Sequence, residues 1–266
     1  MSYAHRLEGA RPISLKDFAA RADAGLKRKE GEEETARLIA ELVELQELLY
    51  AVQTHSVLVV LQGRDTSGKD GTIRHVAGPL NSQSCSVASF KVPTDAELAH
   101  DFLWRVHAQT PSLGEIKIFN RSHYEDVLVP RVHKQISDKV WRERCEDINA
   151  FERLLTRNGV TMVKFFLHIS KDEQKERLEA RLKDPSKLWK FNTGDLKERA
   201  LWEQYQDAYE AVLNECSTDS APWHVVPANR KWARNLAMLQ TVVRTLEGMD
   251  PQYPPAAFDP KTIVID

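Results

Sequence analysis

Between Val57 and Thr72 the chain reads Val57-Leu58-Val59-Val60-Leu61-Gln62-Gly63-Arg64-Asp65-Thr66-Ser67-Gly68-Lys69-Asp70-Gly71-Thr72. The apolar run predicts a buried β-strand, and the glycine-rich segment after it opens a helix. Glycine at 63 and 68 lets the backbone fold around phosphate oxygens, and Lys69 reaches the terminal phosphates. This order of elements predicts a phosphate-binding loop. A glycine-rich turn without a ligand is the alternative.

One position departs from the usual phosphate-binding loop. The residue after the lysine is normally a serine or threonine that ligates Mg²⁺, and here it is Asp70. A carboxylate also ligates Mg²⁺, and Asp65 offers a second carboxylate inside the loop. The sequence therefore predicts a metal held by acids, which argues against an ordinary nucleoside triphosphatase.

The rest of the chain alternates between short β-rich runs and longer amphipathic stretches. The predicted strands are Ser56–Leu61, Ser86–Phe90, Glu115–Phe119, Thr161–Ile169 and Trp223–Val226. The predicted helices are Glu33–Tyr50, Lys69–Val76, Asp95–His107, Asp138–Arg157, Lys171–Lys183, Asp195–Cys216 and Lys231–Glu247. Such alternation is typical of a parallel, doubly wound sheet in the α/β class.

Length and composition indicate one domain with terminal extensions. The chain has 266 residues, 42% of them hydrophobic and 29% charged, and no apolar run approaches the roughly 20 residues that span a bilayer. We expect a polar extension over 1–32, the domain over 33–249 and a proline-rich tail over 250–266. No apolar stretch near the N-terminus could serve as a signal peptide either, so a cytoplasmic location without a membrane partner is expected. The three cysteines agree with this, because they form no metal-binding or redox pair.

Net charge limits the way in which a polyanion can bind. The formal charge is −2, so the overall field does not attract polyanions, and no nucleic-acid partner is expected. Basic residues concentrate between 175 and 190, with six basic against three acidic side chains. Arg177 and Arg181 share a helix face, and Asp184-Pro185 ends that helix before Lys187 and Lys190. This pattern is typical of a mobile lid over phosphates, and a solvated amphipathic helix is the alternative.

The third predicted strand ends in a polar segment, Asn120-Arg121-Ser122-His123-Tyr124-Glu125-Asp126. Residues at the carboxyl end of a parallel strand lie where open α/β sheets bind ligands. Arg121 is placed to neutralise phosphate charge, and Glu125 and Asp126 are placed to orient metal-bound water or a second substrate. Alternatively, Arg121 pairs with Glu125 and only staples the loop.

Together these motifs resemble the polyphosphate kinase 2 family. They are Gly-x-Asp-x-x-Gly-Lys-Asp-Gly-Thr, Phe-Asn-Arg-Ser-His-Tyr-Glu-Asp and Asp-Pro-Ser-Lys-x-Trp-Lys, and the resemblance extends from Leu45 to Leu246. It implies a P-loop kinase-like, three-layer α/β/α fold with a central five-stranded parallel sheet and a helical lid over about 171–194. The run Ser122-His123-Tyr124-Glu125-Asp126-Val127 is similar to the class III subgroup, whose members phosphorylate nucleoside mono- and diphosphates.

The resemblance also implies a function and a set of site residues. The expected reaction is reversible, Mg²⁺-dependent phosphoryl transfer between inorganic polyphosphate and AMP, ADP or ATP, with guanine nucleotides as further candidates, in a homo-oligomer. The implied catalytic residues are Asp65, Lys69, Arg121 and Arg177. Phosphate or nucleotide contacts are expected for Gly63, Thr66, Ser67, Gly68, Asp70, Gly71, Thr72, Arg74, Asn120, Arg181, Lys187 and Lys190, and metal ligation for Asp65, Glu125 and Asp126.

Two other functions remain open from the residues alone. An ATP-dependent nucleoside monophosphate kinase has the same loop, sheet and arginine lid. A nucleotide- or polyphosphate-binding module without turnover would also use the loop, although Lys69 and the two candidate acids favour an enzyme.

Overall fold

The computed structural model describes residues 3–9, 12–22 and 25–265. Within these ranges the strands are β1 (His5–Arg6), β2 (Ser56–Gln62), β3 (Cys85–Ser89), β4 (Ile116–Asn120), β5 (Val160–His168) and β6 (Trp223–Pro227). They form one sheet in the order β1-β6-β5-β2-β4-β3. The strands β2 to β6 pair in parallel, which confirms the predicted five-stranded parallel sheet, and β1 adds an antiparallel edge strand that was not predicted.

The helices of the described residues agree with the predictions in most places. They are α1 (Arg28–Val52), α2 (Lys69–Ala77), α3 (Asp95–Leu98), α4 (Trp104–His107), α5 (Glu125–Val132), α6 (Asp138–Arg157), α7 (Lys171–Lys183), α8 (Gly194–Ala200), α9 (Trp202–Glu215) and α10 (Lys231–Glu247). Two predicted helices are each divided, into α3 and α4 and into α8 and α9. The second break lies at Leu201, where the chain turns and places the Trp202 ring 3.6 Å from Arg64 Cζ.

Helices cover both faces of the sheet. Successive side chains of β2 alternate between two hydrophobic clusters, with Leu58 and Val60 in one and Val57, Val59 and Leu61 in the other. The first cluster includes side chains from α5, α6 and α9, and the second includes side chains from α1, α2 and α10. The result is the predicted three-layer α/β/α arrangement, with β2 buried at its centre. Every helix within the described ranges is too short or too polar to span a bilayer.

The segment before α1 also packs on the fold in spite of its polar composition. Leu7 and Leu15 are buried in the cluster that contains α9. The Leu15 N–H donates to Glu210 Oε1 at 2.8 Å, and the Ile13 N–H donates to Asn214 Oδ1 at 2.8 Å. These contacts fix the described part of the N-terminal segment against α9.

A buried polar cluster lies among the first set of core side chains. The Glu152 carboxylate accepts from Tyr124 Oη at 2.7 Å, His123 Nε2 at 3.1 Å and Lys164 Nζ at 2.6 Å. Lys164 also donates to the Cys216 carbonyl at 2.7 Å. Burial alone would raise the pKa of Glu152, but Lys164 and His123 hold it below its ordinary value. Glu152 is therefore favoured as a carboxylate, and its hydrogen bonds are satisfied inside the core.

Replacing one partner of this pair tests that conclusion. Lys164→Met should lower the free energy of unfolding by about 3 kcal/mol, because Glu152 would remain buried without its counter-charge. Urea denaturation at pH 7 measures the change. The control is Lys175→Met, whose ammonium pairs with Glu179 at 3.9 Å on the surface and should contribute about 1 kcal/mol or less. Equal stability of Lys164→Met and the parent would show that the pair is not charged.

Candidate active site

The phosphate-binding loop joins the carboxyl end of β2 to the start of α2. Gly68 adopts a φ of +105°, which side chains disfavour, and a Cβ at this position would lie 1.8 Å from Arg234 Nη1. Lys69 Nζ donates to the Gly63 carbonyl at 2.5 Å and to the Arg64 carbonyl at 3.3 Å. The lysine thus folds back across the loop, in the position from which it can meet a bound phosphate.

Unsatisfied polar groups line this loop. Within the described structure, Thr66 Oγ1 and Ser67 Oγ are buried and have no hydrogen-bond partner. Burial and the charge of Arg121 lower the pKa of Lys69, against the opposing effect of Asp65 and nearby acids. Buried polar atoms ordinarily have partners, and a buried ammonium is favoured by a neighbouring anion. Both observations fit an anionic ligand with several oxygens.

Arg121 joins the two predicted acids at the mouth of the loop. Its Nη2 lies 3.1 Å from Asp65 Oδ1, and its Nη1 lies 3.3 Å from Glu125 Oε2. The pairing with Glu125 is the contact that the staple alternative predicted, and the pairing with Asp65 is additional. Burial raises the pKa of Glu125, although Arg121 and Lys69 oppose that effect. Arg121, Asp65 and Glu125 therefore form one charged group beside Lys69.

The backbone holds Arg121 in an unusual conformation. Its φ is +62°, which is uncommon for a residue with a side chain and needs support from its surroundings. The Arg121 N–H donates to the Leu61 carbonyl at 3.1 Å, and Gln62 Nε2 donates to Ser122 Oγ at 3.0 Å. Tyr124 then enters the buried cluster around Glu152. These anchors aim the Arg121 side chain at the loop.

The two positions that differ from ordinary nucleoside triphosphatases meet each other. Asn120 Nδ2 donates to Asp70 Oδ1 at 2.9 Å, which links the end of β4 to the first turn of α2. Asp70 stands where the Mg²⁺-binding hydroxyl is expected, and Asn120 where the strand-end acid is expected. The two unusual residues thus form a hydrogen-bonded pair, in which the Asn120 amide donates to the Asp70 carboxylate.

Asp126 has a different partner from Glu125. Its Oδ2 lies 3.1 Å from Arg105 Nη2, and Arg105 also donates to the Lys91 carbonyl at 2.9 Å. The Asp126 carbonyl accepts from Arg144 Nη1 at 2.7 Å. Asp126 is therefore held by arginines on another wall of the site, and metal ligation by its carboxylate stays a prediction.

A cavity of about 730 Å³ opens beside the loop. Its polar end carries Asp65, Arg121 and Glu125, and α8 and α9 close one side. The apolar part is lined by Phe90, Val92, Pro93, Leu98, Leu128, Val129, Pro130 and Ile136. Ligand cavities of this size, with an apolar wall and a few converging charged groups, are typical of small-molecule sites. The cavity therefore fits a small-molecule ligand, with Arg121 at its charged end.

Arg177, one of the predicted lid residues, supports the loop from behind. All five of its N–H groups donate to the protein. The acceptors are Glu173 at 2.8 Å, the Thr66 and Ser67 carbonyls at 2.9 and 3.0 Å, and the Ala228 and Asn229 carbonyls at 2.7 and 3.0 Å. In this conformation Arg177 ties the loop to the end of β6 and offers no donor to a phosphate.

The other predicted lid residues contact groups outside the loop. Arg181 is 3.8 Å from Asp195, which lines the cavity. Lys187 pairs with Asp184, and Lys190 lies 4.9 Å from the Trp189 ring, on an exposed 3-10 helix over Pro185–Lys190. In the described structure no hydrogen bond or ion pair joins Lys187 or Lys190 to the loop, and their contact with phosphate stays a prediction.

The residues of α2 that were predicted to contact phosphate differ in their burial. Thr72 is buried and donates to Asn235 Oδ1 at 3.3 Å, whereas Gly71 and Arg74 are exposed. In the first turn of α2, Lys69 bonds to carbonyls of the loop and Asp70 bonds to Asn120, and phosphate contacts by Gly71, Thr72 and Arg74 stay predictions.

Sequence reasoning missed two residues at the site. Asp195 lines the same cavity as Asp65, and burial, with the charge of Asp65, raises the pKa of Asp195. Arg234 on α10 contacts the loop at Ser67. Asp195 looks like an ordinary first-turn acid, and Arg234 falls in a regular helical pattern, so no local signal distinguishes either.

The carboxylates of the site fit a metal that is shared with substrate. Among the described residues, no group of three Asp, Glu, His or Cys side chains is arranged to hold a metal ion. Mg²⁺ in phosphate-transfer sites takes one or two carboxylates and completes its shell with phosphate oxygens and water. Asp65 and Glu125 meet that requirement.

Comparisons with known proteins agree with the geometry. The model of the family "Polyphosphate kinase 2" matches residues 25–254. An AMP/ADP-polyphosphate phosphotransferase of Meiothermus ruber is 55% identical over 88% of this chain and 88% of that protein. An ADP-polyphosphate phosphotransferase of Rhodopseudomonas palustris is 44% identical over 91% of this chain and 88% of that protein. A crystal structure of polyphosphate kinase 2 from Arthrobacter aurescens TC1 superposes with a TM-score of 0.92 at 44% identity, covering 96% of this chain and 91% of that one.

Proposed function

Since the chain belongs to the polyphosphate kinase 2 family, we propose that it transfers phosphoryl groups between inorganic polyphosphate and adenine nucleotides, with both AMP and ADP as acceptors. The observation that carries the proposal is the placement of Arg121 between the phosphate-binding loop and a cavity of about 730 Å³. The Meiothermus ruber relative, named for both acceptors, supports the choice of substrates.

The donor and the acceptor occupy different parts of the site in this proposal. The loop with Lys69 receives the terminal phosphates of the polyphosphate, because its backbone and hydroxyl donors suit phosphate oxygens. The nucleotide enters the cavity with its base against apolar residues such as Phe90 and Leu128, and with its phosphates toward Arg121. The two anionic chains then meet at Arg121.

Bringing two polyanions together is the main difficulty of this reaction. The attacking acceptor oxygen is already anionic near pH 7, so the site needs no strong general base. Lys69 and Arg121 lower the repulsion and stabilise the charge on the transferred phosphoryl group. Catalysis therefore consists of alignment and charge neutralisation.

We propose Mg²⁺ as the metal, held by Asp65 and Glu125, with Asp195 near Asp65 as a further acid. Bound Mg²⁺ would supply additional positive charge to the phosphates. The lid residues Arg181, Lys187 and Lys190 would add cations if the segment over 171–194 closes. Arg177 acts in this proposal by holding the loop.

A phosphotransfer assay with two acceptors tests the proposal. Purified protein is incubated with Mg²⁺ and polyphosphate, and with ADP or AMP in parallel, and products are separated by ion-exchange chromatography. We expect ATP from ADP, and ADP followed by ATP from AMP, in amounts that rise with added polyphosphate and vanish with EDTA. Matched reactions with ATP and AMP but no polyphosphate detect an ATP-dependent monophosphate kinase. Product in those reactions alone would overturn the proposal, and polyphosphate binding without product would indicate a binding module.

A further inference from the structure

We propose that Arg234 is a positioning residue for the donor, and that it forms a clamp with Arg177 behind the phosphate-binding loop. The clamp fixes the peptide unit between Ser67 and Gly68 and places positive charge beneath the loop. The inference goes beyond the proposed function, and it rests on that function only in taking polyphosphate as the ligand of the loop.

Both guanidinium groups bind the same backbone oxygen. Arg234 Nη1 donates to the Ser67 carbonyl at 3.1 Å, and Arg177 Nη1 donates to the same carbonyl at 3.0 Å. Arg234 is 2% exposed and its Nε and Nη2 donate to Asn235 Oδ1 at 3.2 and 2.9 Å. The same Asn235 oxygen accepts from Thr72 Oγ1 at 3.3 Å, which ties the clamp to α2. The arginine is therefore fixed on both sides.

Because the peptide bond is planar, the contacts to the Ser67 carbonyl also fix the direction of the Gly68 N–H. In a trans peptide the carbonyl and the following N–H point in opposite directions, and the described residues contain no cis peptide. Because the Ser67 carbonyl faces the two arginines, the Gly68 N–H faces the other side of the loop. That side is where a phosphate oxygen would lie.

The charge of Arg234 also has no acid to balance it nearby. Its acceptors are a backbone carbonyl and a side-chain amide, and no carboxylate of the described residues lies within ion-pair distance. Burial, reinforced by the charge of Arg177, lowers the pKa of Arg234 to about 10, so it remains charged at neutral pH. An unbalanced buried charge is costly. A polyanion across the loop would supply the missing negative charge.

Arg234 packs so closely against Gly68 that the clamp leaves no room for a side chain at position 68. A Cβ on Gly68 would meet Arg234 Nη1 at 1.8 Å and Cζ at 2.8 Å. The glycine of the loop is thus needed partly because the guanidinium packs against it. Arg234 is therefore part of the loop's structure, although it lies 167 residues from Ser67 along the chain.

Three variants of the full-length protein test the proposal. Arg234→Met removes the charge and the hydrogen bonds, Arg234→Lys keeps the charge without the planar fork, and Arg244→Met removes an exposed arginine of the same helix. We expect Arg234→Met to raise the KM for polyphosphate by about 10-fold or more, while the KM for ADP stays within about twofold. Arg234→Lys should recover part of the loss, and Arg244→Met should match the parent.

The KM distinguishes positioning from a merely structural role. Partial unfolding lowers the concentration of active enzyme and hence the apparent kcat, but it leaves the KM for polyphosphate unchanged. Circular dichroism fixes a temperature at which all variants are folded, and Arg234→Lys serves if Arg234→Met does not fold. An unchanged KM for polyphosphate in both Arg234 variants, or a rise for ADP alone, would overturn the proposal.

Direct binding separates this inference from the proposed function. Isothermal titration calorimetry with polyphosphate gives the Kd of the parent and of each variant without turnover. Weaker binding in Arg234→Met supports the clamp even if the parent makes no ATP, in which case only the proposed function fails. Equal Kd values for the parent and Arg234→Met would contradict the clamp whether or not the protein is active.

Discussion

Lys69→Ala is expected to remain folded and to lose about 10³-fold or more in kcat for ATP formation from polyphosphate and ADP. Lys69 lies across the phosphate-binding loop, with Nζ on the Gly63 and Arg64 carbonyls, so its charge is next to the predicted donor phosphates. Burial lowers the pKa of Lys69, which means that its charge opposes folding in the absence of a ligand. Removing the charge should therefore cost activity much more than stability.

Steady-state kinetics and denaturation of the same preparations measure the two effects. Lys175→Ala is the control, because this lysine lies on the exposed face of α7 and pairs only at the surface with Glu179 at 3.9 Å. The control should match the parent in kcat. If Lys69→Ala turned over at a near-normal rate, the loop would not hold the transferring phosphate. Lost activity accompanied by unfolding would leave the role of the lysine to be tested with Lys69→Met.

The sheet was predictable because its signals are local and strong. The β2 run from Val57 to Leu61 is apolar on both faces and precedes a glycine loop, which is the pattern of a central parallel strand. The strand β1 is different, since it is two residues long and consists of His5 and Arg6. Its pairing with β6 comes from tertiary contact, which no periodicity in the sequence reports.

The missed helix and the divided helices have physical causes of the same kind. The helix α5 has eight residues and contains Pro130, so it is too short and too irregular for a periodic signal. The break at Leu201 accompanies the contact between Trp202 and Arg64, which lie 138 residues apart in the chain. Long-range packing decided these boundaries.

The site shows a similar division between local and long-range information. The spacing of the loop predicted Lys69, and the strand end predicted Arg121 beside the acids. Helical spacing placed Arg177 and Arg181 on one face, but it did not show what that face meets. The spacing predicted that Arg177 would lie over the phosphates. In the structure its side chain instead binds the carbonyls of Thr66 and Ser67, which are 111 and 110 residues away along the chain.

Asp70 and Asn120 also depend on a contact between distant parts of the chain. In the sequence they are two separate departures from an ordinary nucleoside triphosphatase, 50 residues apart. In the structure they bond to each other at 2.9 Å. The two departures are therefore linked by a contact, which cannot be seen when each position is considered separately.

Arg121→Ala decides between the two interpretations of the strand end, with an expected loss of about 10³-fold in kcat if the arginine contacts the transferred group. Alanine and arginine are similarly disfavoured at the φ of +62° found here, so the substitution changes the side chain with little effect on the backbone. Steady-state kinetics with polyphosphate and ADP measure the loss. Arg142→Ala, at an exposed position of α6, is the matched control.

The staple interpretation predicts a different result for the same variant. If Arg121 only ties Glu125 to the loop, its removal should lower the free energy of unfolding and leave kcat near that of the parent. The partly exposed pair with Glu125, at 3.3 Å, should contribute about 1 kcal/mol or less to stability. Because Arg121 also contacts Asp65 at 3.1 Å, its charge joins both acids of the proposed metal site to the loop. We therefore expect the large effect in kcat, and a normal kcat in Arg121→Ala would establish the staple instead.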